Sequence, residues 1–292
     1  MRCDLLLYVC KRGHKRRSQR YFFFCDLASA KLTFVQKEIR TVQSHSLGQE
    51  MTYRVYGECG KPVIAFPTSQ AHENLWEDFG MVDVLAPYIE DGDIQLFAMD
   101  SIDDDTFFRE DGKRGVALRR YEDYLSFIAN EFLPTVTRPG LGGARRNGGY
   151  GAGQKALLTG CSMGAYHAAN IYFRYPQFAD SVIALSGVYS AQCFLDFEDH
   201  MSRAARANSP LEYLSNGVDP RKRELYQDSH LVFCAGKGPG EEQMLDDTMA
   251  LGTVLEQQHI DAWVDVWGED ATHDWPWWQQ QMEYFLPEVL SV

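Results

Sequence analysis

From about residue 35 onward, short apolar runs alternate with longer runs whose apolar positions recur at helical spacing. The short runs are MTYRVYG (51–57), PVIAFP (62–67), IQLFAMD (94–100), KALLTG (155–160), SVIALSG (181–187), HLVFCAG (230–236) and AWVDVWG (262–268). Several are nearly continuous in apolar character, which suits strands covered on both faces of a parallel sheet. In 117–133, Leu118, Tyr121, Leu125, Ile128 and Phe132 step by three and four and so share one helix face. Met244, Thr248, Leu251 and Leu255 do the same in 241–259, and Trp277, Met282 and Phe285 mark a last helix over about 275–289. The run 163–175 ends before Pro176, because the residue preceding a proline is pushed out of helical geometry. Strand and helix in alternation read as βαβ units with right-handed crossovers, giving an α/β fold with a mostly parallel central sheet and helices on both faces.

Composition narrows the function classes. The chain has 292 residues, 45% hydrophobic and 24% charged, within the range of globular proteins and long enough for one large domain or two smaller ones. The net charge of −13 is uneven: residues 1–25 hold seven of the 28 Lys/Arg and one of the 41 Asp/Glu, which leaves −19 for the rest. A body that acidic repels phosphate backbones, so nucleic acid is not expected as a partner. Seven cysteines, an odd number without a CxxC pair, argue against a disulfide framework or a zinc site and for a reduced, cytoplasmic protein. No apolar run reaches membrane-spanning length. Residues 1–34 mix basic and aromatic side chains without a period and read as a poorly ordered extension, with the domain proper at 35–292. The insert RPGLGGARRNGGYGAGQ (138–154) is glycine- and arginine-rich, but it precedes a strand and lacks the Gly-Lys-Ser/Thr ending of a P-loop, so it reads as a surface loop.

The chemistry centres on Gly160-Cys161-Ser162-Met163-Gly164. The strand-like ALLTG leads into it and the helix-like MGAYHAANIYF follows at once, the context that a nucleophile elbow requires. Glycines at 160 and 164 remove the Cβ atoms that would collide across so tight a turn. The turn presents its central residue and buries the neighbour, so Ser162 is the expected nucleophile and Cys161 a core residue. The Met163 amide, at a helix N-terminus, is the first expected oxyanion donor. The second is expected from the loop FPTSQAHENLWEDFG, with the amide of Gln70 or of Ser69 as candidates and His72 as a pocket-lining or surface residue.

A base and an orienting acid should follow in chain order. His230 opens a strand and His259 ends a helix, whereas His273 lies in WGEDATHDWPWW, a loop between the last strand and the last helix. Loops at the C-terminal ends of strands are where α/β sheets place their chemistry, and neighbouring aromatics exclude water from an imidazole. His273 is therefore the expected base. The acid is sought in KGPGEEQMLDDT, after the strand HLVFCAG. Glu241 stands first after the Gly-Pro-Gly turn; Glu242, Asp246 and Asp247 fall on the helix itself, with Asp246 the second candidate.

The blocks YRVYGECGKPVIAFPTSQ, GCSMGAYHAANIYFRYPQFADSVIALSGVYS, SPLEYL, CAGKGPGEEQMLDDT and WGEDATHDWPWWQQQMEYFL, in this order, resemble the esterase D / antigen 85 group of α/β-hydrolases over about residues 45–290. The resemblance implies an α/β-hydrolase fold and a triad falling on Ser162, Glu241 and His273. It also implies hydrolysis of small-molecule carboxylic esters through an acyl-serine, without metal or organic cofactor. Two positions depart from the group: Gly240 stands where relatives often carry an aromatic residue, and Ala71 where a glycine usually continues the loop. Residues 188–229 are expected to form a rim over the site, with Phe194, Phe197 and Tyr213 as its apolar wall. The competing readings are a catalytically silent α/β-hydrolase scaffold that binds a ligand or partner, and an acyltransferase using the same triad. A homo-oligomer is compatible with all of them.

Overall fold

In the computed structural model, the residues described are 35–111, 113–138, 154–194 and 203–291. The N-terminal extension, nearly all of the 138–154 insert and Phe197 lie outside them. Eight strands form one sheet in the order β1-β2-β4-β3-β5-β6-β7-β8. They are β1 (Lys37–Ser44), β2 (Gln49–Tyr56), β3 (Lys61–Phe66), β4 (Ile94–Met99), β5 (Ala156–Cys161), β6 (Ala179–Leu185), β7 (His230–Ala235) and β8 (Trp263–Val266). The pairs β1/β2 and β2/β4 are antiparallel; every pair from β4 through β8 is parallel. Each of the seven expected strands is present, within a few residues of its expected bounds.

The continuous apolar runs follow from burial on both faces. Ile64 and Phe66, Leu158, Val182 and Ala184, and Phe233 point to one side. The intervening Val63 and Ala65, Leu157, Ile183 and Leu185, and Val232 point to the other. Two of the helices, α1 (Met81–Glu90) and a last helix, cover this second face through Leu85, Ile89, Met282 and Phe285. The first face is covered by α2 (Arg114–Ser126), α3 (Met163–Arg174) and α4 (Glu242–Gln257), through residues such as Leu118, Tyr121, Tyr166, Ile171, Leu251 and Leu255. The last helix, α5, spans Trp275–Leu290. Every residue of α3 except Arg174 is buried, which explains its many small side chains: a helix in the middle of a packed layer has no solvent face to fill with charge. Among the described residues, no helix is long and apolar enough to cross a membrane.

Candidate active site

Strand β5 ends at Cys161, and α3 begins at Met163, so one residue makes the whole turn. That residue is Ser162, with φ 56° and ψ −121°, a conformation that a non-glycine residue holds only when its surroundings force it. Here they do. Its N–H donates to the Leu185 carbonyl at 2.9 Å, extending the β5–β6 ladder, while its carbonyl accepts from Ala165 and Tyr166 in the first turn of α3. The flanking glycines are required by contact: a Cβ on Gly160 would lie 2.2 Å from the Gly164 carbonyl carbon, and one on Gly164 would lie 2.4 Å from the Phe66 carbonyl oxygen. Gly164→Ala should therefore force α3 away from the end of β3, at a loss of about 2 kcal/mol or more and several degrees of Tm. An unchanged melting temperature for that variant would contradict the packing described here.

Two loops meet above Ser162. The segment after β7 and the segment after β8 are joined backbone to backbone: Lys237 N–H donates to Gly268 O at 3.2 Å, Gly238 N–H to Ala271 O at 2.9 Å, and His273 N–H to Pro239 O at 3.3 Å. Gly240 has φ +87°, and a Cβ there would lie 3.2 Å from the His273 Cβ, a tight contact. A side chain there would be strained and would press on the base of the His273 side chain. The joined loops bring His273 Nε2 to 3.0 Å from Ser162 Oγ, and His273 Nδ1 to 2.9 Å from Glu241 Oε1. Glu241 is the N-cap residue of α4 and is 1% exposed; its other oxygen, Oε2, accepts from the Gly236 N–H at 3.1 Å. The Trp278 ring stands edge-on to the His273 ring at 4.9 Å, and its Nε1–H is held by Ser186 Oγ at 2.9 Å. The aromatic shield expected beside His273 is thus Trp278, anchored by a serine that sequence reading passed over.

The other candidates are placed elsewhere. Glu242 and Asp246 are exposed on α4. Asp247 is buried and accepts from the Tyr189 N–H at 2.6 Å, so it ties down the segment after β6; burial pushes its carboxyl above the usual range. Cys161 is buried, and burial with the nearby Glu241 charge pushes its thiol well up, which leaves it unreactive beside the exposed face of the turn. His72 is largely exposed, with Nδ1 2.9 Å from Asp100, whose carboxylate raises the imidazole pKa. His230 and His259 sit at the start of β7 and just past α4, as expected. Phe194 packs on Phe107 and Tyr166, and the Tyr213 hydroxyl donates to Asn170 at 3.1 Å, so both are tied into the core more than into a pocket wall.

One expectation needs correcting. The Gln70 N–H does not point free into the site; it donates to Asp103 Oδ2 at 3.0 Å. A carboxylate is a better acceptor than a neutral carbonyl, so this amide is committed. Of the two loop amides considered, that of Ser69 takes no protein acceptor among the described residues. Asp103 itself gave no signal by periodicity. The trace available in the sequence was a triple aspartate, DDD at 103–105, directly after a buried strand.

The strand order, the parallel core and a strained serine between strand and helix with an imidazole and a carboxylate in line define the α/β-hydrolase class. Within it, the family model described as "Putative esterase" matches residues 44–289, and the chain belongs to that family of carboxylic ester hydrolases. No curated protein matches the chain. Among solved structures, it is similar to a ferulic acid esterase, with 17% identity, a TM-score of 0.65 and coverage of 88% of this chain and 98% of the other. It is likewise similar to an S-formylglutathione hydrolase from Agrobacterium tumefaciens, with 14% identity, a TM-score of 0.66 and coverage of 91% and 98%. A third is FphF, a fluorophosphonate-binding serine hydrolase of Staphylococcus aureus, with 13% identity, a TM-score of 0.61 and coverage of 88% and 98%.

Proposed function

We propose that the chain hydrolyses small carboxylic esters through an acyl-Ser162 intermediate, with His273 as general base and acid and Glu241 as its orienting carboxylate. The observation that carries this reading is the unbroken run of hydrogen bonds Ser162 Oγ–His273–Glu241, at 3.0 and 2.9 Å, with the serine held in a strained turn. His273 Nε2 takes the serine proton as Oγ attacks the acyl carbon. The imidazolium that forms is stabilised by Glu241, and the proton then passes to the leaving alkoxide. Water, deprotonated by the same nitrogen, releases the acid and restores the serine. The Met163 amide is the first oxyanion donor and, with Gln70 committed, the Ser69 amide is the second.

The test is labelling with a fluorophosphonate followed by peptide mapping. A single adduct on Ser162, none on Cys161, and loss of labelling in His273→Ala are the expected results. A well-folded protein that takes no adduct would overturn the proposal and favour a silent scaffold. The substrate screen should include thioesters beside oxygen esters, because one structural neighbour is an S-formylglutathione hydrolase.

A further inference from the structure

We propose that Asp103, through a buried pair with His167, is a positioning residue that holds the oxyanion loop in register with the N-terminus of α3. This rests on the reading of Ser162 as the nucleophile. Asp103 opens a short 3-10 turn (Asp103–Asp105) just after β4, and its side chain is 2% exposed. Its two oxygens face different elements. Oδ2 accepts from the Gln70 N–H at 3.0 Å, and Oδ1 lies 3.3 Å from His167 Nε2. His167 is itself buried, on α3, five residues after Ser162.

Neighbours assign the direction of each bond. The Tyr121 hydroxyl accepts from Asn170 Nδ2 at 3.3 Å, so its own proton is directed to His167 Nδ1 at 3.1 Å. That leaves His167 Nε2–H to donate to Asp103. Behind this pair the polar chain continues from Asn170 to Asn208, and from there to Glu122 and Arg174. A carboxylate removed from water requires donors on both oxygens. Asp103 finds one on α3 and the other on the loop after β3.

The two elements that Asp103 bridges are those that carry the proposed oxyanion donors. Met163 begins α3, and Ser69 immediately precedes Gln70. Gln70 holds φ 55°, a left-handed conformation that a glutamine does not favour alone, and the bond to Asp103 maintains it. The loop's further ties include Gln70 Nε2 to Asp104 Oδ1 at 2.6 Å, which is exposed to water, and Ser101 Oγ to the Ala71 carbonyl at 2.8 Å, which is part-buried like the Asp103 bond. Oxyanion donors act over a narrow range of distance, so a loop displaced by about 1 Å loses transition-state stabilisation while ground-state contacts persist. Asp103 touches no substrate in this scheme; it acts through Gln70 on Ser69 and through His167 on α3.

The test compares kcat, KM, Tm and inhibition by a trifluoromethyl ketone, whose serine adduct carries an oxyanion, in Asp103→Ala, Asp103→Asn and His167→Leu. Asp103→Ala should lower kcat by about 10²-fold with KM within about twofold, and weaken the ketone by a similar factor. Asp103→Asn should recover part of the loss: its Oδ1 still accepts from Gln70 and holds the loop, while its Nδ2 meets the Nε2–H of His167 and leaves the tie to α3 broken. His167→Leu keeps the space filled and removes one donor, so it reports a kcat loss even if the alanine variant fails to fold. A lowered Tm with wild-type kcat and ketone affinity in the folded variants would overturn the proposal, as would asparagine as impaired as alanine. Full activity in Ser162→Ala would instead overturn the reading beneath it.

Discussion

Ser162→Ala should reduce ester turnover by about 10⁶-fold, and His273→Ala should cost nearly as much, while the double variant loses little more than either alone. The near-identity of the three losses is the informative part. In the proposed mechanism, Ser162 Oγ is a weak nucleophile until His273 Nε2, 3.0 Å away, removes its proton, so either deletion disables one shared step. What remains is the contribution of substrate positioning and the oxyanion donors, which neither substitution touches. Steady-state kinetics on an activated ester, with folding monitored by circular dichroism, reads both quantities. Losses in the two single variants that simply multiply in the double variant would mean the residues act independently, contrary to the geometry.

Glu241→Gln should lower kcat by about 10⁴-fold while leaving the fold and KM nearly intact. The direction follows from the second bond that Glu241 makes. The Gly236 N–H points at Oε2, so a glutamine must turn its carbonyl oxygen there and its amide nitrogen toward His273 Nδ1. The opposite orientation sets two donors against each other in a buried site. An amide nitrogen can only donate, so His273 would hold its proton on Nε2 and face Ser162 as a donor. A base in the wrong tautomer cannot take the serine proton. Kinetics measured beside the Tm separates this from misfolding, and activity within tenfold of the wild type would remove Glu241 from the proposed mechanism. Glu241→Asp, one methylene shorter, cannot span both Gly236 and His273 and should show an intermediate loss.

Much of this arrangement was legible along the chain, for reasons that differ by element. Strands β3 through β7 are buried on both faces, so their apolar runs stand out without any partner being known. Strand β1, KEIRTVQS, passed unnoticed because it is a largely exposed edge strand held by backbone bonds to β2 and carries no apolar run. Helix α1 was also missed. Pro87 interrupts it on paper, yet the helix continues through that residue because Met81, Leu85 and Ile89 bury a face on the sheet. Ser162 was legible since the elbow is a local steric problem solved by glycines at fixed offsets. The choice between the Gln70 and Ser69 amides is not legible along the chain, because nothing local shows that a carboxylate from the segment after β4 claims the Gln70 N–H.

The sequence by itself determined what depends on nearby residues and on burial periodicity: the parallel sheet, the strained serine turn, and the order of serine, acid and histidine along the chain. Only the tertiary structure decided which of several acids faces His273, that Trp278 shields the imidazole, and that Asp103 and His167 meet between the loop and α3. The physical reason is range. A turn or an amphipathic face is set by neighbours within a few residues, whereas a buried carboxylate takes its donors from whichever chain segments the sheet topology brings alongside it.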